Sequence, residues 1–96
     1  ASSPAAQMLD LPEAYRLVFA RSALRELRQL PREDLRRIVK RIERLRSEPR
    51  PSGSQKLAGT DLYRIRQGDY RVLYALDDQN RLVDIIKVGH RREVYR

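Results

Sequence analysis

The chain has 96 residues, 41% of them hydrophobic, and sets 21 Lys and Arg against 13 Asp and Glu for a net charge of +8 and a pI near 10.6. That is material for one small core; no apolar run is long enough to cross a bilayer, and the opening residues hold no apolar signal-like core. Cysteine is absent and histidine occurs once, which excludes a disulfide framework and a thiolate metal site and speaks against zinc.

"ASSPAAQ" (1–7) is small, polar and patternless, and residues 1–14 read as a disordered tail or cloning remnant with Met8 as a native start. The expected single domain runs from 15 to 96. "YRLVF" (15–19) reads as a first strand. In "SALRELRQL" the period changes, and Leu24, Leu27 and Leu30 are expected on one helical face. Pro31 closes that helix and opens the next. Over 32–46, Leu35, Ile38, Val39, Ile42 and Leu45 recur at three- and four-residue steps as one apolar stripe. Glu33 and Asp34 begin this helix and Arg44 and Arg46 end it, as the helix dipole favours; its other cations read most simply as a solvated face. "SEPRPSGS" is a linker.

Three strand candidates follow, at 62–66, 70–76 and 81–88. Gly68-Asp69 forms a two-residue hairpin loop and 77–80 a four-residue one. Gly89 is expected to turn the chain out of the last strand. The order of elements gives an α+β domain, two N-terminal helices packed on one face of a small, about four-stranded antiparallel sheet.

The hairpin loop sets a register. Gln67 falls opposite Tyr70, Arg66 opposite Arg71, Ile65 opposite Val72 and Tyr63 opposite Tyr74. Side chains alternate across a sheet, so Tyr63, Ile65, Val72 and Tyr74 share the helix-packed face, and Arg64, Arg66 and Arg71 share the other. Facing like charges destabilise an antiparallel pair, so this face suits an anion, unless Asp84 or Asp69 neutralises it. The meander brings the closing "GHRREVYR" toward Arg71, which is expected to face solvent. Arg91, Tyr95 and His90 are then candidates to join the arginines.

Cations, an aromatic ring and one imidazole, without paired carboxylates, suit RNA cleavage by the substrate's own 2′-hydroxyl. The protein then supplies charge stabilisation and proton transfer, while a tyrosine stacks on a base. All the basic residues but Lys40, Lys56 and Lys87 are arginine, the side chain that grips phosphate bidentately, although a GC-rich genome would also favour Arg over Lys. A basic excess of this size points to a nucleic acid partner.

The segment from Tyr15 to Arg96 resembles the RelE/ParE superfamily of bacterial toxins from type II toxin–antitoxin systems. "ARSALRELRQL", "KLAGTDLYRIRQGDYRVLY" and "IIKVGHRREVYR" carry the resemblance. For the RelE branch it implies metal-independent mRNA cleavage in the ribosomal A site and inhibition of translation; the cytoplasmic expectation comes from the composition, with its missing span, signal core and cysteine. The resemblance further implies a cognate RelB-like antitoxin that blocks the toxin, operator DNA bound only through the antitoxin complex, no cofactor and no membrane. By resemblance, Arg64 and Arg66 face the scissile phosphate, Arg71 stabilises the transition state, Arg91 protonates the leaving oxygen and Tyr95 orients the nucleotide. Lys56, Arg92 and Arg96 are expected to bind RNA. Some relatives carry Lys where this chain has Arg on the "LYRIR" strand; Arg is a poor general base, so either His90 or Lys56 takes that role or the reaction leans on electrostatics alone. Two alternatives remain: a ParE-like gyrase poison on the same fold, and a nucleic-acid-binding domain without catalysis.

Overall fold

The computed structural model describes residues 14–90. Those residues form β1 (Arg16–Phe19), α1 (Arg21–Arg28), α2 (Arg32–Arg44), β2 (Gln55–Lys56), β3 (Leu62–Gln67), β4 (Tyr70–Asp77) and β5 (Leu82–His90). The strands make one sheet of five among the described residues, in the order β1-β5-β4-β3-β2. The α+β expectation of two helices on one sheet holds, but the sheet is neither four-stranded nor wholly antiparallel. β1 runs parallel to β5, from Arg16 opposite Leu82 to Phe19 opposite Ile85. The two residues of β2, too few to show any period, pair with Tyr63 and Arg64. The expected tail lies outside the described residues except for Ala14.

One face of the sheet carries the core. Ile65, Val72, Tyr74, Val83, Ile85 and Val88 meet Ala23 and Leu27 of α1 and Ile38 and Ile42 of α2, with Leu45 just beyond its end. The apolar stripe of α2 is narrower than its sequence suggests, because Val39 is 37% exposed. On α1, Ala23 and Leu27 face inward, whereas Leu24, expected beside Leu27, is 39% exposed. A four-residue step from Ala23 keeps the small side chain against the sheet, where Leu24 would hold the helix off. Pro31, extended at ψ 148°, separates the helices.

The β3–β4 hairpin turns at Gly68, whose φ of 61° is the left-handed conformation a tight two-residue loop demands. β4 and β5 pair antiparallel with an irregularity between Leu73 and Tyr74. Leu73 lies opposite Lys87 and Tyr74 opposite Ile85, so Ile86 is an extra residue. This bulge resets the alternation and lets both Ile85 and Val88 reach the core. Gly89 does not turn the chain; it stays in β5, opposite Arg71. The β4–β5 loop is correspondingly displaced by one residue, with Asp77 opposite Leu82 and Arg81 at φ 55°.

β1 stops halfway along β5, and α1 covers the edge that remains. The Ser22 hydroxyl donates to the Ile86 carbonyl at 3.1 Å. The Glu26 carboxylate accepts the Val88 N–H at 2.8 Å and the Lys87 ammonium at 2.9 Å. One side chain thus satisfies the backbone of an otherwise unpaired strand edge.

A second polar knot ties the linker to the β4–β5 loop. Asp78 accepts the Tyr15 hydroxyl at 2.6 Å and both terminal nitrogens of Arg50 at 3.2 and 2.7 Å. Arg50 Nε also donates to the Tyr63 hydroxyl at 3.0 Å. Tyr63 stacks on Tyr74, whose hydroxyl donates to the Pro49 carbonyl at 2.7 Å. Arg50 and then Tyr15 hold the Asp78 carboxyl below its ordinary pKa, and the bond to Asp78 pushes the Tyr15 phenol up. Burial raises the Tyr74 phenol to about 12.

Candidate functional site

Hairpin geometry builds the site. With Gly68 and Asp69 as the loop, Arg66 lies directly opposite Arg71, and Arg64, two residues back, lies opposite Leu73. The core takes Ile65, Val72 and Tyr74, so alternation sends the three arginines to the opposite face. There they differ in environment. Arg66 is exposed and Arg64 half-buried, with its guanidinium donating to Gln55 Oε1 on β2. Arg71, expected to face solvent, is only 8% exposed. It sits on a central strand, flanked by β3 on one side and by β5 on the other, where its partner is Gly89.

The structure does not bring every expected residue to this face. His90 lies opposite Tyr70, with its ring edge-on to the tyrosine at 6.0 Å and 81°. The Tyr70 hydroxyl in turn donates to Asp34 of α2 at 3.3 Å. His90 lines a cavity of about 290 Å³ with Glu26, Gln29, Pro31 and Tyr70, on the helix side of the sheet. The physical reason is parity: β5 continues straight through Gly89, so the next residue belongs to the face opposite Arg71. Parity separates Lys56 in the same way. It pairs with Tyr63, and Gln55 is the β2 residue beside Arg64. Arg91, Arg92, Tyr95 and Arg96 lie outside the described residues.

Arg41 of α2 is a residue that the sequence reading placed on a solvated face. It joins Gln55, Arg64 and Arg66, with Gly53, around a groove of about 380 Å³. A usable signal was present: Arg41 adjoins Ile38 and Ile42 on the helical wheel, so its long side chain leaves at the helix–sheet boundary. Among the described residues, Arg41 and Arg66 have no carboxylate within ion-pair distance. Nor do three His, Asp or Glu side chains gather there as a metal-ligating group. Among the described residues no helix is long and apolar enough to cross a membrane. The arrangement can bind a polyanion and stabilise negative charge developing beside Arg71.

The family model for the ParE toxin of the type II toxin–antitoxin system parDE matches residues 17–95. Toxin RelG of Mycobacterium tuberculosis is 37% identical over 86 residues, which cover 85% of this chain and 97% of that protein. The chain belongs to the RelE/ParE toxin family. The fold agrees with this toxin family. The archaeal RelE–RelB complex from Pyrococcus horikoshii OT3 contains a chain that superposes with a TM-score of 0.75 at 34% identity, over 83% of this chain and 98% of that one. The isolated Escherichia coli RelE toxin gives 0.73 at 34%, over 85% and 92%.

Proposed function

We propose that this toxin is a metal-independent endoribonuclease that cleaves mRNA, at the ribosomal A site, through attack of the substrate's 2′-hydroxyl on the adjacent phosphorus. The observation that carries the reading is the juxtaposition of Arg66 and Arg71 across the β3–β4 ladder, with Arg64 on the same face. Two facing guanidiniums destabilise a bare hairpin, and a phosphate between them reverses the sign. Arg71, buried and therefore less screened than its neighbours, stabilises the doubly negative phosphorus centre. Arg64 and Arg66 position the scissile phosphate. Arg91 delivers a proton to the leaving oxygen, and Tyr95 stacks on a base. His90 remains a candidate general base only if the β5 end rearranges on substrate, since it lies on the helix side of the sheet.

The resemblance to toxins seen with RelB, such as the Pyrococcus complex, supports a RelB-like antitoxin as partner; cytoplasmic action follows only from the proposed cleavage of ribosome-bound mRNA. Mapping cut sites on mRNA with and without ribosomes, for the parent and for Arg71→Ala and Arg91→Ala, tests the reading. Cuts within ribosome-protected codons that vanish in the variants are expected; an unbroken message in all arms overturns it. Cleavage is also expected to survive EDTA, and loss of cutting that magnesium restores would reject the metal-free mechanism. The family model's ParE description favours one other reading, a gyrase poison. Inhibition of gyrase supercoiling with cell-free translation untouched would establish that reading in place of ours.

A further inference from the structure

Arg41 lines two grooves. One is the groove of Gln55, Arg64 and Arg66; the other, of about 520 Å³, runs along the outside of α2 between Arg37, Lys40, Arg44 and the end of β3 at Gln67. Positions 37, 40, 41 and 44 follow three- and four-residue steps, so they form one stripe about 10 Å long. The stripe is rotated away from the buried Ile38, Ile42 and Leu45. Its cations are weakly neutralised. Glu33 approaches Arg37 at 3.6 Å, but both side chains are more than half exposed, a geometry that contributes little. Glu43 also lines the groove, yet among the described residues Lys40, Arg41 and Arg44 have no carboxylate within ion-pair distance.

We propose that the outer face of α2 is a second phosphate-binding track for RNA, continuous with the arginine face through Arg41. The proposal rests on the ribonuclease reading for its starting point at Arg64 and Arg66. An RNA backbone passing those residues is handed by Arg41 to Lys40, Arg44 and Arg37. RNA suits this groove better than a protein helix. An amphipathic helix needs an apolar stripe to bury, and the exposed Val39 of α2 lies on the opposite flank of the helix from the cations. The track therefore lengthens the footprint on RNA without touching the reacting phosphate.

The test compares two fluorescein-labelled RNAs, methylated at their 2′-oxygens so that they are not cut: one of about four nucleotides and one of about sixteen. Binding is read by anisotropy across a salt series for the parent, for Lys40→Ala/Arg44→Ala, and for Arg21→Ala/Arg25→Ala, which removes the same charge from α1. The α2 double variant is expected to bind the long RNA about ten-fold more weakly, with the salt slope reduced by about 1.4 for two lost single-strand phosphate contacts. Its affinity for the short RNA is expected to move less than two-fold, and the α1 variant is expected to match the parent. An unchanged slope, or an equal loss in the α1 variant, overturns the track. So does a variant that keeps RNA affinity but loses the antitoxin, because the groove is then a protein seat. A parent that binds long RNA with this pattern yet never cuts message overturns the ribonuclease reading and leaves the track standing. A parent that cuts message while the α2 variant binds unchanged overturns the track alone.

Discussion

Arg50 and Arg66 use the same side chain to opposite ends. Arg50 is spent inside the molecule: it forks onto Asp78, donates to the Tyr63 hydroxyl and lies over the Tyr63 ring, with its guanidinium carbon 5.3 Å from the ring centroid. Arg66 meets another arginine across a hairpin and has no described carboxylate partner. The first arrangement closes a linker against a loop and asks nothing of a ligand. The second leaves Arg66 at a groove without a described carboxylate partner, which costs stability and prepares the surface for an anion. In so basic a chain, net charge alone marks no site; the environment of each guanidinium does.

The comparison can be broken most sharply at Arg71. Arg71→Ala is expected to lower RNA cleavage by about 10²–10³-fold, the loss typical of removing one preorganised transition-state donor, read as single-turnover rate per folded molecule. Because Arg71 is buried, the variant also loses some stability, so Arg71→Lys serves as the second arm. Substantial cleavage by both variants would return Arg71 to a purely structural role. Glu26→Ala is expected to cost about 1–3 kcal/mol in urea unfolding, since it strands the Val88 N–H and the Lys87 ammonium at once.

Next comes the contrast in sign. Arg50→Ala is expected to lower Tm by a few degrees, whereas Arg66→Ala is expected to raise stability by about 0.2–1 kcal/mol through relief of the facing charge while weakening RNA cleavage. Equal signs in the two melts would erase the distinction. The smallest effect is in acid. The folded-state pKa of Asp78 is depressed, with the Arg50 hydrogen bonds first among the causes. Its contribution is therefore complete above the unfolded carboxylate value of about 3.9 and is lost as pH falls through the lower folded value. The Tm of Asp78→Asn is expected to fall less steeply than that of the parent below about pH 4; parallel curves would show that Asp78 is not a source of the acid response.

Local chemistry made the β3–β4 hairpin legible before any coordinates. Gly68 fixes a two-residue loop, the loop fixes the register, and the register pairs Arg66 with Arg71. What escaped was non-local or too short. The parallel partner of β1 lies near the other end of the described chain, and two residues at Gln55 and Lys56 carry no period. The bulge at Ile86 and the straight passage through Gly89 are decided by packing against Ile85 and Val88, and the second of these sends His90 to the helix side. Arg41 was visible as a cation but not as part of the site, because the groove that gathers it depends on where α2 crosses the edge of β3.

The pairing of β1 with β5 has a kinetic side. Arg16 must wait for Leu82, so a chain emerging from its own ribosome cannot seat β1 in the sheet until β5 has been made. Loop closure over that distance slows the docking of β1, whereas β4 and β5, which set Gly89 beside Arg71, pair across a short local loop. The cationic face is therefore a product of local hairpins, and among the described strands the edge strand β1 is the one whose docking depends on a distant segment.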